Sequence, residues 1–493
     1  MANGTHGPTT SGAHGPTTGG AAHGPAAGGA AHGAMAGGRA PAGSHEMHTA
    51  NGSMVRTRAN GSRADVHDAR RGMDIHHGLN GNRHVMVERA DHSRVFAARG
   101  GRGFVQHPYM FHGREFGHRT YFYHGRAYDR FYGRYPYRGV YLDVYAPRAF
   151  YAPGFYGWVY NPWAAPIVYP WGFAALPWYG VYGAYFTPYP AYATASLWLT
   201  DYMISTSLAA AYQASADQQA TAALGSGAAP LTPETKQAIA DEVQRQVALE
   251  NQESQQNAQG QDADFGSSGI ARMLSDNQPH TFVVGGDLDL VTDSNQECAV
   301  SQGDVIQVSQ PPAADATAAT AVVLASKGGN ECARSSNVSV QFTDLQEMQN
   351  HMRETIDQGM GELQSKQGQG GLPPAPPSAK AAPVQASFAA VAPPPDASAG
   401  TEISQQMQQA DQSEQEVAST ATGGPAPPAD ATVPAAPAAP AAAPATIALG
   451  QTVDQVTGLL GAPKRIIDLG AKKIYVYQDM KITFKAGKVT DVE

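Results

Sequence analysis

Long apolar runs, catalytic motifs and cysteine are what this sequence lacks. No uninterrupted apolar stretch reaches the roughly 18 residues of a spanning helix. The nearest, AAPIVYPWGFAALPWYGVYGAYF, is cut by Pro166, Pro170 and Pro177, so no membrane-spanning helix is expected. Cysteine occurs only at Cys298 and Cys332. Neither has a His or Cys partner at zinc spacing, which excludes a metal site built on them. In an oxidising compartment one disulfide between them is the simplest expectation, and two unrelated buried thiols are the alternative. Met1 is followed by ANGTHGPTTSG, with neither a basic nor an apolar leader region and no lipid-attachment cysteine.

Signatures of chemistry are missing as well. GLLGAPKR does not have the spacing of a phosphate loop, and VVGGDLDLV lacks the third glycine of a dinucleotide site. Neither cysteine has a nearby His to activate it. Asp287 and Asp289 stand two apart on an expected strand and share a face, where they read as solvent-facing positions. His351 reads as a surface or lightly packed residue. No enzyme activity, catalytic residue, cofactor or metal ligand is therefore expected.

What is present is strong bias. Gly 54 and Pro 35 are both high, and segments poor in apolar side chains cannot offset the entropy of ordering their backbone. Residues 1–150 hold 18 Arg, no Lys and 9 acidic groups, a formal +9, while the whole chain carries −9. Of the 17 His, 15 lie before residue 125. Such asymmetry suggests an interaction tail. His6, His14, His23 and His32 recur at spacings of 8, 9 and 9 without any accompanying apolar position.

The expected fold class is a mostly disordered, low-complexity chain carrying a small β-rich, barrel-like domain with a C-terminal helix, plus a short α+β C-terminal module. Residues 1–100 read as a disordered Gly/Ala/His/Arg tract and 101–194 as a Tyr/Gly/Arg/Pro-rich low-complexity region whose aromatic surface would want a partner. Helical segments follow over 195–258. Leu197, Ile204, Leu208 and Ala211 share one face of the first, with Trp198 and Tyr202 on the next; the second has Thr232 as N-cap, Pro233 in its first turn and an Ile239, Val243, Val247 stripe. Residues 278–364 hold TFVVGGDLDLVTD, DVIQVS, TAVVLASK and NVSVQF as strands. A helix closes them, its capping box formed by Thr343 and Gln346, and its apolar face by Leu345, Met348, Met352 and Ile356. Residues 365–447 read as a Pro/Ala/Gln-rich linker. In 448–493 a helix capped by Thr452 and Gln455, with Val453, Val456 and Leu460 inward, ends at Gly461 and Pro463; RIIDLG, KKIYVYQD, MKITFKAG and KVTDVE then read as strands, with turns at Asp479 and Gly487.

GQTVDQVTGLLGAPKR followed by IYVYQDMKITFKAGKVTDV resembles the SmpA/OmlA-type domain of the small lipoprotein of the outer-membrane β-barrel assembly machinery. Residues 230–365 resemble envelope proteins of soil bacteria that have no assigned activity. These resemblances imply a periplasmic or outer-membrane setting, reached through a leader that is removed or lies outside the sequence; a cytoplasmic location is the alternative. The function they imply is structural or protein-interaction work, with an envelope protein or outer-membrane component as partner of the C-terminal module. For the aromatic/Arg-rich region a peripheral contact with a membrane surface is expected. Two rivals come from composition: metal binding by the His repeat, and nucleic-acid binding by Arg with interleaved Tyr and Phe in 112–138, the less favoured partner.

Overall fold

Tight turns at short intervals organise the first part of the chain. The computed structural model describes residues 40–421, apart from 124, 219 and 263, and beyond them 456, 465–468, 472–476, 481–485 and 488–492. In TANGS (49–53), RANGS (58–62), GLNGN (78–82) and RADHS (89–93) the first residue's amide bonds the last residue's carbonyl, as in Thr49 N to Ser53 O at 2.8 Å and Arg58 N to Ser62 O at 2.8 Å. Asn51 and Asn60 also accept from the amides of Ser53 and Ser62. Gly52 and Gly61 sit at φ +88° and +79°, conformations that L side chains rarely adopt.

These and similar turns link ten antiparallel strands in simple sequential order: β1 (His45–His48), β2 (Met54–Thr57), β3 (Arg63–Asp68), β4 (Met73–His77), β5 (Arg83–Glu88), β6 (Arg94–Ala98), β7 (Arg102–Phe111), β8 (Arg114–Tyr123), β9 (Arg126–Tyr137) and β10 (Val140–Ala146). The register pairs Val55 with Val66, Val66 with Ile75 and Ile75 with Val85, so one face is aliphatic. It pairs Arg56 with Asp65, Asp65 with His76 and His76 with His84, so the other face is polar and aromatic.

After the short β11 (Ala149–Phe150) come α1 (Pro153–Tyr160), α2 (Pro177–Tyr182), α3 (Ala195–Asp217), α4 (Pro233–Ala258), α5 (Phe265–Ser268) and α6 (Ile270–Met273). Thr232 caps α4 by accepting from Thr235 N, and Ile239, Val243 and Val247 are buried as expected. Next are β12 (His280–Val283), β13 (Leu288–Thr292), β14 (Glu297–Val300), β15 (Val305–Val308), β16 (Ala318–Ala325) and β17 (Asn337–Gln341), followed by α7 (Phe342–Ser365). These strands form a sheet in the order β12-β15-β16-β17-β13-β14. It is an open sheet with β12 and β14 at its edges, not a barrel. Then come β18 (Val384–Gln385), paired with β11, the short α8 (Ser387–Ala390) and α9 (Ala399–Ala421).

The expectation of a mostly disordered chain is overturned by these elements. Residues 40–100, read as disordered, supply six strands. Residues 101–194, read as low-complexity, supply four long strands and a core in which Phe155, Tyr185, Phe186 and Tyr192 are fully buried. Within 365–447, read as a linker, α9 covers the aliphatic sheet face with Ala399, Ile403, Ala410 and Val417. Acidic groups on α9 pair with the basic sheet: Arg83 with Asp411 at 2.9 Å and Glu414 at 3.1 Å, His77 with Glu414 at 3.0 Å, and Arg71 with Glu416 at 2.9 Å.

The helix α7 lies between the two sheets and is no simple lid. Its apolar residues Leu345, Met348, Met352 and Ile356 are buried as expected, but so are Gln346, Gln349, Asn350 and Arg353. Asn350 accepts from Tyr145 N at 2.9 Å and donates to Asp143 O at 2.7 Å, satisfying the free edge of β10. The expected capping box is absent: α7 starts at Phe342, two residues before the first helical position that a Thr343 cap implies, and Gln346 accepts instead from Ile270 N at 3.0 Å.

The chain divides into two units, at residues 426 and 427. The second contains the antiparallel strands β19 (Arg465–Asp468), β20 (Lys472–Val476), β21 (Lys481–Lys485) and β22 (Lys488–Val492) in sequential order, close to the expected positions. Val456 packs with Ile482, Phe484 and Val489. The expected helix cap at Thr452, the inward positions Val453 and Leu460, and the stops and turns at Gly461, Pro463, Asp479 and Gly487 lie outside the described residues.

Candidate functional site

Hairpin turns and loops from distant parts of the chain meet at one polar cleft of about 270 Å³. Asn80 and Asn82 come from the β4–β5 turn, Ser215 and Gln218 from the end of α3, Asp287 from the approach to β13, Ser301 and Gln302 from the β14–β15 turn, and Lys327 to Glu331 from the loop after β16. Tyr182 closes one side.

The 327–331 loop is held on both flanks. Gly225 N donates to Lys327 O at 2.8 Å and Gly329 N to Ser226 O at 3.0 Å. The approach is so close that a Cβ at Gly225 would lie 2.2 Å from Gly329 N, which no larger residue tolerates. On the other flank Cys298 and Cys332 form the expected disulfide, with Cα atoms 4.9 Å apart. Cys332 N donates to Ala299 O at 2.7 Å beside it. Glu331, next to that anchor, accepts from Ser301 Oγ and Lys327 N, both at 2.5 Å.

Charge in the cleft is largely compensated in place. Lys327 Nζ lies 2.5 Å from Asp304 and 3.3 Å from Glu331. Burial alone would lower the lysine, but these two carboxylates overcome it and hold the ammonium charged. A locked ammonium of this kind is no nucleophile or base. Asp287 is different: the contact made by its carboxylate is with the Asn82 amide, which itself accepts from Gln218. Burial pushes Asp287 up to about 6, with Lys327 and Arg102 pulling the other way.

That shift has a testable sign. Between an unfolded carboxyl near pH ~4 and the folded value of about 6, the native state keeps a proton that the unfolded state has released. Raising the pH through this window therefore costs stability. Asp287→Asn removes the cost, so the stability difference between variant and wild type should move in the variant's favour from about pH 4 to about pH 6 and level off above. Urea unfolding of both proteins across that range checks it; a difference independent of pH would contradict it.

Asp289, expected to share a solvent-facing surface with Asp287, is in a separate cluster. It pairs with Arg58 at 2.7 Å and with His76 Nε2 at 3.3 Å, while Asp65 takes His76 Nδ1 at 2.6 Å. Burial pulls His76 down, but Asp289 and Asp65 lift it to about 10, so it carries charge. Its neighbour His84, with ring centroids 5.0 Å apart, is pushed down to about 3 by burial and by that charge. Arg56 and Arg58 also reach Glu297, at 3.0 and 2.8 Å. The cluster thus joins the ten-stranded sheet to the six-stranded one.

His351, expected at the surface, lies against Gly285, with Ser207 Oγ 3.3 Å from its Nε2; burial pushes it down to about 4. Arg119, Tyr121 and Tyr132, among the residues that carried the nucleic-acid and membrane-surface expectations, are fully buried and bonded to the protein itself. His6, His14, His23 and His32 lie outside the described residues. Among the described residues no group of three or more His, Cys, Asp or Glu side chains is arranged to hold a metal, and no helix is long and apolar enough to cross a membrane. Sequence reasoning missed Asn82, Gln218, Gln302, Lys327 and Glu331, since NGN and KGGNE read only as turns. Comparison with family models, curated proteins and solved structures found no match.

Proposed function

We propose that this chain is a non-enzymatic binding protein of the cell envelope, in which the first unit takes a small polar ligand and the second docks on an envelope or outer-membrane component. The disulfide is the observation that carries the setting. It ties β14, which leads into the Ser301–Gln302 wall of the cleft, to the end of the 327–331 loop, and such a bond persists outside the reducing cytoplasm. Support for binding rather than turnover comes from the cleft's chemistry: Lys327 is locked by two carboxylates, and Ser301 donates to a carboxylate with no histidine between them. The docking role of the second unit rests on its resemblance to the SmpA/OmlA-type domain.

The test is fractionation of cells producing the full chain, with thiols alkylated before lysis. Recovery in the envelope fraction with Cys298 and Cys332 unalkylated is the expected result, and a chain ending at residue 421 should no longer sediment with outer membrane. Cytosolic recovery with both thiols alkylated would overturn the reading.

A further inference from the structure

Beyond the cancelled charges, what the cleft still offers is amide and hydroxyl chemistry. Gln302 is only 5% exposed, yet it lines both the main cavity and a smaller one adjoining it, and its side-chain amide has no hydrogen-bond partner among the described residues. The amide opens onto cavity space instead of being sealed in protein, so it presents donors and an acceptor to whatever fills that space. Asn80 is likewise without a side-chain partner among the described residues, and Asn82 and Asp287 stand beside it. Asp287 and Gln302, like Asn82, face both cavities.

The lining discriminates between ligand classes. Its apolar side chains are mostly alanines (Ala211, Ala214, Ala220, Ala222 and Ala223), with too little surface to hold a bulky apolar molecule. An anion would meet Asp287 and Glu331, and a cation would meet Lys327, with Arg102 behind Asp287. Neighbouring hydroxyls suit what remains, because each donates and accepts at once and so complements an amide beside a carboxylate. The volume, about 270 Å³, is just below the roughly 300–1,000 Å³ usual for ligand pockets, which limits the occupant to a small molecule or one end of a chain.

We propose that this cavity binds a small uncharged polyhydroxyl ligand, a single saccharide unit held by Asn82, Asp287 and Gln302 beside the Tyr182 ring. The proposal rests on the reading of the cleft as a binding site and adds its ligand class. A free sugar and the end of a polysaccharide present the same hydroxyls.

Saturation-transfer NMR and calorimetry on the full chain test it, with glucose, galactose, mannose and N-acetylglucosamine as neutral probes, glucosamine and glucuronic acid as charged ones, and dextran as a polymer. Binding of at least one neutral sugar is expected, weakened about tenfold or more in Gln302→Ala and Asp287→Ala, as loss of one buried hydrogen-bonding group implies. Gln302→Glu, close in shape, should also weaken it and guards against a misfolded alanine variant. Binding of dextran with no free sugar bound would support the proposal with the polymer end as source. Preference for a charged probe would overturn the saccharide assignment and leave the binding reading standing. No binding by any probe, or binding unchanged in all three variants, would overturn the assignment outright.

Discussion

Arg119→Ala is expected to destabilise the first unit by roughly 3–5 kcal/mol, the cost of leaving a buried charge cluster without one partner. The side chain is 1% exposed. Its guanidinium reaches Glu347 at 2.6 and 3.0 Å and Asp143 at 3.2 Å, and its Nε donates to the Gln106 amide oxygen. It lies 3.9 Å from the centroid of the Tyr132 ring and 4.5 Å from that of Phe104. Asp143 keeps Arg94 at 2.8 Å when Arg119 is removed, but Glu347 loses its two bonds. Arg119→Lys, which preserves charge but not the planar fork, should fall between wild type and alanine. Arg119→Met combined with Glu347→Gln should recover much of the loss, because the orphaned charge goes with its partner. Urea midpoints at constant slope measure all three; a loss below about 1 kcal/mol for alanine would place the pair among surface-like ion pairs and sink the argument.

Removing both cysteines, as Cys298→Ala with Cys332→Ala, should cost about 4 kcal/mol. The bond closes a separation of 34 residues, and in the chain-entropy account most of the loss arises because the unfolded chain regains the freedom of that loop. Cys332 is also fully buried, so the alanine leaves a small void that adds to the effect. A second consequence is local. Glu331 sits beside the anchor and bonds Ser301 and Lys327, so the cleft wall should show faster amide hydrogen exchange in the variant than the core of β16 does. An unchanged urea midpoint would show that the loop is held by its backbone bonds alone.

Local chemistry made some elements legible and hid others. Thr232-Pro233 and the Ile239, Val243, Val247 stripe identify α4 because cap, first turn and face agree. The strands around Cys298 and Cys332, and those of the second unit, follow from alternation between turn residues. The ten-stranded sheet was hidden by its second face. Segments such as RADVHD and MDIHH alternate Val or Ile with Arg, Asp and His, and polar positions of that kind normally face water. Here Arg56, Asp65 and His84 are buried, so apolar content understated how much chain could pack. The signal that could have revealed it was the Asn-Gly turn at 51–52, 60–61 and 80–81. The Gln-rich stretch of α9 reads as no more than a transient helix within the linker, and its packing was hidden because Ala and Ser occupy much of it, leaving Ile403, Met407, Ala410 and Val417 as a thin stripe. The cleft was not legible, since six separate stretches of sequence build it.

The order of strands along the ten-stranded sheet also sets a timetable. Each strand pairs with the one made just before it, so every hairpin can close as soon as it emerges, without waiting for distant sequence. The helix that covers the Val55, Val66, Ile75, Val85 and Val95 face starts only at Ala399, about 250 residues after β10 ends at Ala146. At roughly 5–20 residues per second of synthesis, that face is uncovered for on the order of ten seconds to a minute. A nascent chain of this protein is therefore a finished sheet with one sticky side, and a holdase that shields aliphatic surface has its natural substrate in that interval.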